Sequence, residues 1–176
     1  EGGEVPLAGA RAAEPEVDIT TDRRAFRALV RTRVFRWVQY AATGQWEAWS
    51  EDLTEIGDHG WNAAKLVELF DPYFDAYLDT PRTEAIAIDA DARGPARFVV
   101  TDGGDTWTVE QVLADPEGHD EWYLEVTVDL PASAELAGMA DRDQRGLIVA
   151  AIHLRLRGRH VLAVLAILIE FNVVTQ

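Results

Sequence analysis

The chain has 176 residues, with 16 basic and 31 acidic side chains, four His, no Cys and a formal net charge of −15; 48% of it is hydrophobic. That length suits one domain, able to bury roughly 70% of the surface its unfolded form exposes. The composition excludes collagen-like, disulfide-stapled and wholly disordered chains, together with thiolate catalysis, iron–sulfur ligation and cysteine-based zinc sites.

Residues 1–21 mix Gly, Pro, Ala and Glu without periodicity and read as a disordered linker. They form no secretory signal, and with no initiator Met the chain is expected to be a processed product or a piece of something longer. Thr21 or Asp22 then suits an N-cap. From Asp22 to Thr43, Phe26, Leu29, Val30, Val34, Trp37, Val38 and Ala41 recur at helical spacing, and Gly44 suits the C-cap. A short helix is expected over Gln45–Leu53, with Trp46, Trp49 and Leu53 inward, followed by a loop over Ile56–Gly60. Asn62 caps the next helix, which Asp71–Pro72 should break or restart before it continues to about Asp79. Thr80–Pro81 stops it.

The period then changes from helical to alternating. Glu84–Asp89 reads as an edge strand and Ala96–Thr101 as a second strand. Asp102-Gly103-Gly104-Asp105 is a turn signal leading into Thr106–Leu113. After the polar connector 115–121, Trp122–Leu130 alternates with Trp122, Leu124, Val126, Val128 and Leu130 on one face. Residues 131–146 form a longer link with a helical turn at Ser133–Met139. Leu147–Arg157 alternates again, and Gly158-Arg159 turns it into a last apolar strand, Val161–Phe171. The nine-residue apolar run Val161–Ile169 is far short of the ~20 residues a membrane helix needs. Helices followed by a meander imply one α+β domain over residues 22–176, with the N-terminal helices packed on a curved antiparallel sheet. By analogy this resembles the cone-shaped fold of nuclear transport factor 2-like proteins.

Charge is unevenly placed: residues 44–141 carry a net −19, while the flanks 1–43 and 142–176 carry +1 and +3. So acidic a middle repels phosphate backbones, which leaves only the first helix as a possible nucleic-acid contact. There Arg23, Arg27 and Arg31 stand at i, i+4 and i+8 and line one side. They suit phosphate or partner docking through bidentate contacts, although an exposed charge stripe is more often a solvated or ion-paired helix face. Six Trp are present. Trp37, Trp107 and Trp122 could line a pocket, although indole rings spaced at the helical and strand periods suit a core.

The loop 115–121 gathers four carboxylates around His119, but its Gly118 comes two residues too early for a calcium loop. In 89–94, Arg93 and Val100 stand where calcium ligands are needed. Both read as solvated loops. His59, His119, His153 and His160 lack metal spacing, and Ser50 and Ser133 lie outside any nucleophile elbow. Lys65 has no glycine run before it, so there is no Walker-type loop. No catalytic residue, metal or cofactor is expected.

Five segments carry a family resemblance: 24–39 (RAFRALVRTRVFRWVQ), 60–77 (GWNAAKLVELFDPYFDAY), 91–100, 106–122 (TWTVEQVLADPEGHDEW) and 125–135. In the sheet region the order and spacing of Trp107, Gln111, Asp115, Pro116, Gly118, Trp122, Val128, Asp129 and Leu130 are the most specific. Over residues ~23–138 the chain resembles the domain of unknown function at the C-terminus of actinobacterial DEAD/DEAH-box helicases. Residues 139–176 depart from that pattern. The resemblance implies a non-catalytic, cytoplasmic accessory module, with the ATPase in the helicase core of a parent chain. It would position that motor or dock a partner, through the Arg23–Arg31 stripe or the sheet edge. The alternative is a small-molecule-binding or enzymatic cone-fold domain. No membrane partner is expected, and a homo-oligomer is open through the Leu147–Phe171 hairpin.

Overall fold

The structure, a computed structural model, describes residues 18–56, 60–139 and 151–158. The expected final strand Val161–Phe171, most of the expected linker, His59 and His160 lie outside the described residues.

Helix α1 spans Arg23–Thr43 and starts where Asp22 Oδ1 accepts the N–H groups of Arg24 and Ala25. It ends at Gly44, whose φ of +68° is the left-handed conformation that a Cβ disfavours. Its C-terminal half is buried on more than one side: Arg33, Val34, Phe35, Trp37, Val38, Ala41 and Ala42 are all inside. It is therefore a central helix, flanked by the sheet and by α2, Trp46–Glu55.

Helix α3 runs unbroken from Ala63 to Ala76, with Asn62 capping the Lys65 N–H and Pro72 inside it. The break expected at Asp71–Pro72 does not occur. Phe70, Tyr73 and Phe74 are buried on the two sides of Pro72, while Pro72 and Glu68 are exposed. Burial of three aromatic rings outweighs the lost hydrogen bond, and water can reach the carbonyl that Pro72 leaves unserved.

Glu84–Asp89 is not an edge strand. After a 3-10 turn at Arg82–Glu84, the Ala85 carbonyl accepts the Tyr73 hydroxyl (2.5 Å), and a single bridge joins Ala87 to Ala114. Asp89 then caps a turn through the Ala92 N–H. With its backbone groups taken by these contacts, the segment has no ladder to join.

Strands β1 (Phe98–Asp102), β2 (Thr106–Val112), β3 (Trp122–Asp129) and β4 (Ala151–Gly158) form an open antiparallel sheet in chain order. The register sets Val109 opposite both Val100 and Val126, so Phe98, Val100, Trp107, Val109, Gln111, Leu124, Val126 and Val128 share the face turned to the helices. The described part of the expected strand Leu147–Arg157 is β4, whose His153 pairs with Thr127 across a register shift. The helical turn expected at Ser133–Met139 is the end of a ten-residue helix, α4, Leu130–Met139. Asp129 caps it through the Ala132 N–H (2.7 Å), and Pro131 suits its first turn.

Aromatic contacts join the layers. Phe26 of α1 meets Trp107 of β2, Trp37 stacks on Trp49 of α2, Trp49 meets Phe70 of α3 edge-on, and Tyr73 meets Trp122 of β3. The fold is an α+β layer structure whose core lies between the helices and one sheet face.

Candidate functional site

The arginine stripe runs beside the edge of the sheet. Arg27 Nη2 donates to the Phe98 carbonyl (3.2 Å), and its guanidinium lies 5.4 Å above the Phe98 ring. One turn earlier, the Arg23 guanidinium lies 5.5 Å from the Trp107 ring centre. Both side chains are exposed, while Arg31, a turn further on, is half-buried. Helical spacing put the three on one side of α1; only the fold sets two of them against β1 and β2. Two carboxylates flank Arg23. A hydrogen bond from the Thr20 hydroxyl and the charge of Arg23 hold Asp18 below the ordinary carboxylate range. The Gly104 N–H, with Arg23, does the same for Asp102.

A second polar group, missed in the sequence reading, lies inside. Arg33 Nη1 donates to Asp52 Oδ1, and Trp37 Nε1 donates to Asp52 Oδ2 (2.5 Å). Arg33 and Asp52 are about 5% and 6% exposed, so this is a buried ion pair tying α1 to α2. Burial pulls the Arg33 pKa down and the Asp52 charge opposes that pull. One signal was available. Arg33 falls three residues after Val30 and four before Trp37, within the inward stripe, and Asp52 sits between Trp49 and Leu53 on α2.

Residues 4–142 match the family model described as Domain of unknown function (DUF3516). The chain belongs to this family. No curated protein and no solved structure matches it.

In this DUF3516 domain the three tryptophans weighed as pocket residues face different neighbours. Trp37 lies between α1 and α2, Trp107 lies under Phe26 and Arg23, and Trp122 stands edge-on to Tyr73. Trp37 and Trp107 are core, and Trp122 packs against the core half-buried. A shallow pocket of about 90 Å³ lies elsewhere, at the end of α1, between Ala41, Gly44, Trp46, Phe74 and Arg82.

The acidic loop after β2 is built around one buried carboxylate. Asp115 Oδ1 accepts the N–H groups of Glu117 (2.9 Å) and His119 (3.2 Å), and Oδ2 accepts that of Asp120 (2.6 Å). Gly118 takes φ +71° to allow this turn, and Asp120 pairs with Arg97. Asp115 also acts on Tyr77. Burial first, then the Asp115 charge, push the Tyr77 hydroxyl pKa up to about 12. His119 is exposed, 3.2 Å from Glu117. Among the described residues no group of three or more His, Asp or Glu could hold a metal ion, and no helix is long and apolar enough to cross a membrane.

Proposed function

We propose that this DUF3516 domain is the non-catalytic accessory module of a cytoplasmic DEAD/DEAH-box helicase, docking the motor or a partner through the arginine stripe and the sheet edge. The observation that carries the reading is the convergence of those two features: Arg27 of the stripe is hydrogen-bonded to Phe98 of the edge strand. An exposed guanidinium already fixed by a ring and a carbonyl is preorganised, so less rotamer entropy remains to be lost on binding.

The buried polar groups support the non-catalytic part. Arg33 is engaged with Asp52, Asp115 with three backbone N–H groups, and Tyr73 with the Ala85 carbonyl. Each is held by contacts within the fold. The arrangement of α1–α3 on one face of a meander supports the finer, cone-shaped nuclear transport factor 2-like reading.

The test is direct association. The chain is titrated into a DEAD/DEAH-box ATPase core and followed by sedimentation and by ATP turnover. A complex that Arg27→Glu disrupts is expected; absence of a complex with wild-type protein overturns the reading.

A further inference from the structure

Antiparallel pairing decides which backbone groups of β1 look outward. The Gly103 N–H donates to the Thr106 carbonyl (2.8 Å), so Gly103 and Thr106 form a hydrogen-bonded pair. Pairs of that kind recur every second residue, which makes Thr101–Thr108 and Val99–Glu110 the next two. Phe98, Val100 and Asp102 therefore turn their N–H and C=O groups away from β2, toward the open edge. At Phe98 both groups are used: the N–H donates to the Pro95 carbonyl and the C=O accepts from Arg27. At Val100 neither finds a partner among the described residues. Among the described residues the edge is thus closed at one end by Arg27 and open at its centre.

We infer that the open β1 edge at Val100, flanked by Arg27 and Arg23, receives an extended acidic segment of a protein partner as an added strand. Main-chain hydrogen bonds to Val100 supply the pairing. Charge selects the occupant. Arg27 stands beside Phe98 and Arg23 beside Trp107, the β2 partner of Asp102, so the two guanidinium groups sit toward opposite ends of β1. Alternate residues of a strand project to the same side, so carboxylates at every second position of the incoming strand turn one acidic face to both guanidinium groups. Asp18 and Asp102 already lie near Arg23, so Arg27 makes the stronger of the two contacts. The partner presents a Glu-x-Glu or Asp-x-Asp stretch in extended form. This inference rests on the docking reading and names the partner's chemistry.

The experiment titrates the full chain with two labelled ten-residue peptides of alternating valine. One carries Glu at the intervening positions and the other Lys. Anisotropy reads affinity, and amide hydrogen exchange reads protection of the Val100 N–H. The acidic peptide is expected to bind more tightly and to slow exchange at Val100. Val100→Pro removes the outward N–H without touching the β1–β2 ladder and should weaken binding about tenfold or more. Arg27→Glu should reverse the preference toward the Lys peptide. If Val100→Pro fails to fold, exchange on wild-type protein still decides.

Three results overturn the inference: no binding of the acidic peptide, binding that leaves Val100 exchange unchanged, or protection of Val100 by a single-stranded RNA or by a second copy of the chain instead. A helicase core that binds wild type and Val100→Pro equally removes the edge but keeps the docking reading. A core that binds neither removes the docking reading, while the peptides still judge the edge.

Discussion

Arg33 and Asp52 form an ion pair inside the core, with α1 supplying the cation and α2 the anion. Trp37, one turn after Arg33, donates its indole N–H to the second oxygen of the same carboxylate. Desolvating two charges is costly, and the hydrogen bond from Trp37 helps to offset it. The pair accordingly fixes how α2 lies on α1 more than it adds net stability.

Breaking the pair from one side leaves a charge buried alone. Arg33→Ala should destabilise the domain by about 3–5 kcal/mol, and Asp52→Ala by a similar amount. Arg33→Met with Asp52→Leu should cost much less than the sum of the single changes. Urea unfolding of the four proteins checks this; additive losses would show that the two residues act independently.

Pro72 gives a test of opposite sign. Its ring deprives the Glu68 carbonyl of an N–H in the middle of α3. Pro72→Ala restores the donor at an exposed position and should raise stability by about 1–3 kcal/mol. Thermal unfolding reads it. A lower melting temperature would mean that the proline fixes a bend the aromatic packing requires.

Asp115 holds its loop with both oxygens as acceptors. Asp115→Ala should cost about 2–4 kcal/mol, because three backbone N–H groups of the loop lose a charged acceptor. Asp115→Asn should rescue only part of this. Its oxygen can serve Glu117 and His119, but its NH₂ then meets the Asp120 N–H, donor against donor. Full stability in Asp115→Asn would contradict the assigned hydrogen bonds.

Tyr77 makes stability sensitive to alkali. Its pKa in the folded protein is about 12, against an ordinary 10. The folded state therefore holds the proton more tightly, and the hydroxyl contributes stability that is complete below pH 10 and is lost as pH rises toward 12. Burial also raises the Tyr73 pKa, which adds to the effect. Tyr77→Phe should flatten the fall in stability between pH 10 and 12; an unchanged slope would place its cause in other groups.

Local chemistry made much of this architecture readable. Asp22, Gly44 and Asn62 bound their helices as capping rules require, and the alternation of 122–130 named the inward face of β3. The misreadings come from long-range packing. The spacing of Phe70, Tyr73 and Phe74 continues one apolar face across Pro72, but nothing local reveals that burying them outweighs the proline's lost hydrogen bond. Nothing in Glu84–Asp89 reveals that Tyr73 and Ala114 take up its backbone groups.

The candidate site divides in the same way. The i, i+4, i+8 spacing of Arg23, Arg27 and Arg31 is visible in the chain, but the placement of Arg27 on β1 and of Arg23 on β2 is not, since 71 residues separate Arg27 from Phe98. Likewise the Arg33–Asp52 pair needs two helices to close on each other before either charge has a partner.

Calorimetric titration of a DEAD/DEAH-box ATPase core with this chain, wild type against Arg27→Glu, tests the docking surface most directly, provided both proteins show the same thermal unfolding. Wild type should bind, and Arg27→Glu should bind at least about tenfold more weakly, as expected for losing a central charged anchor. Equal affinity for the two proteins would show that the motor does not use this edge, and no detectable binding by either would remove the helicase assignment itself.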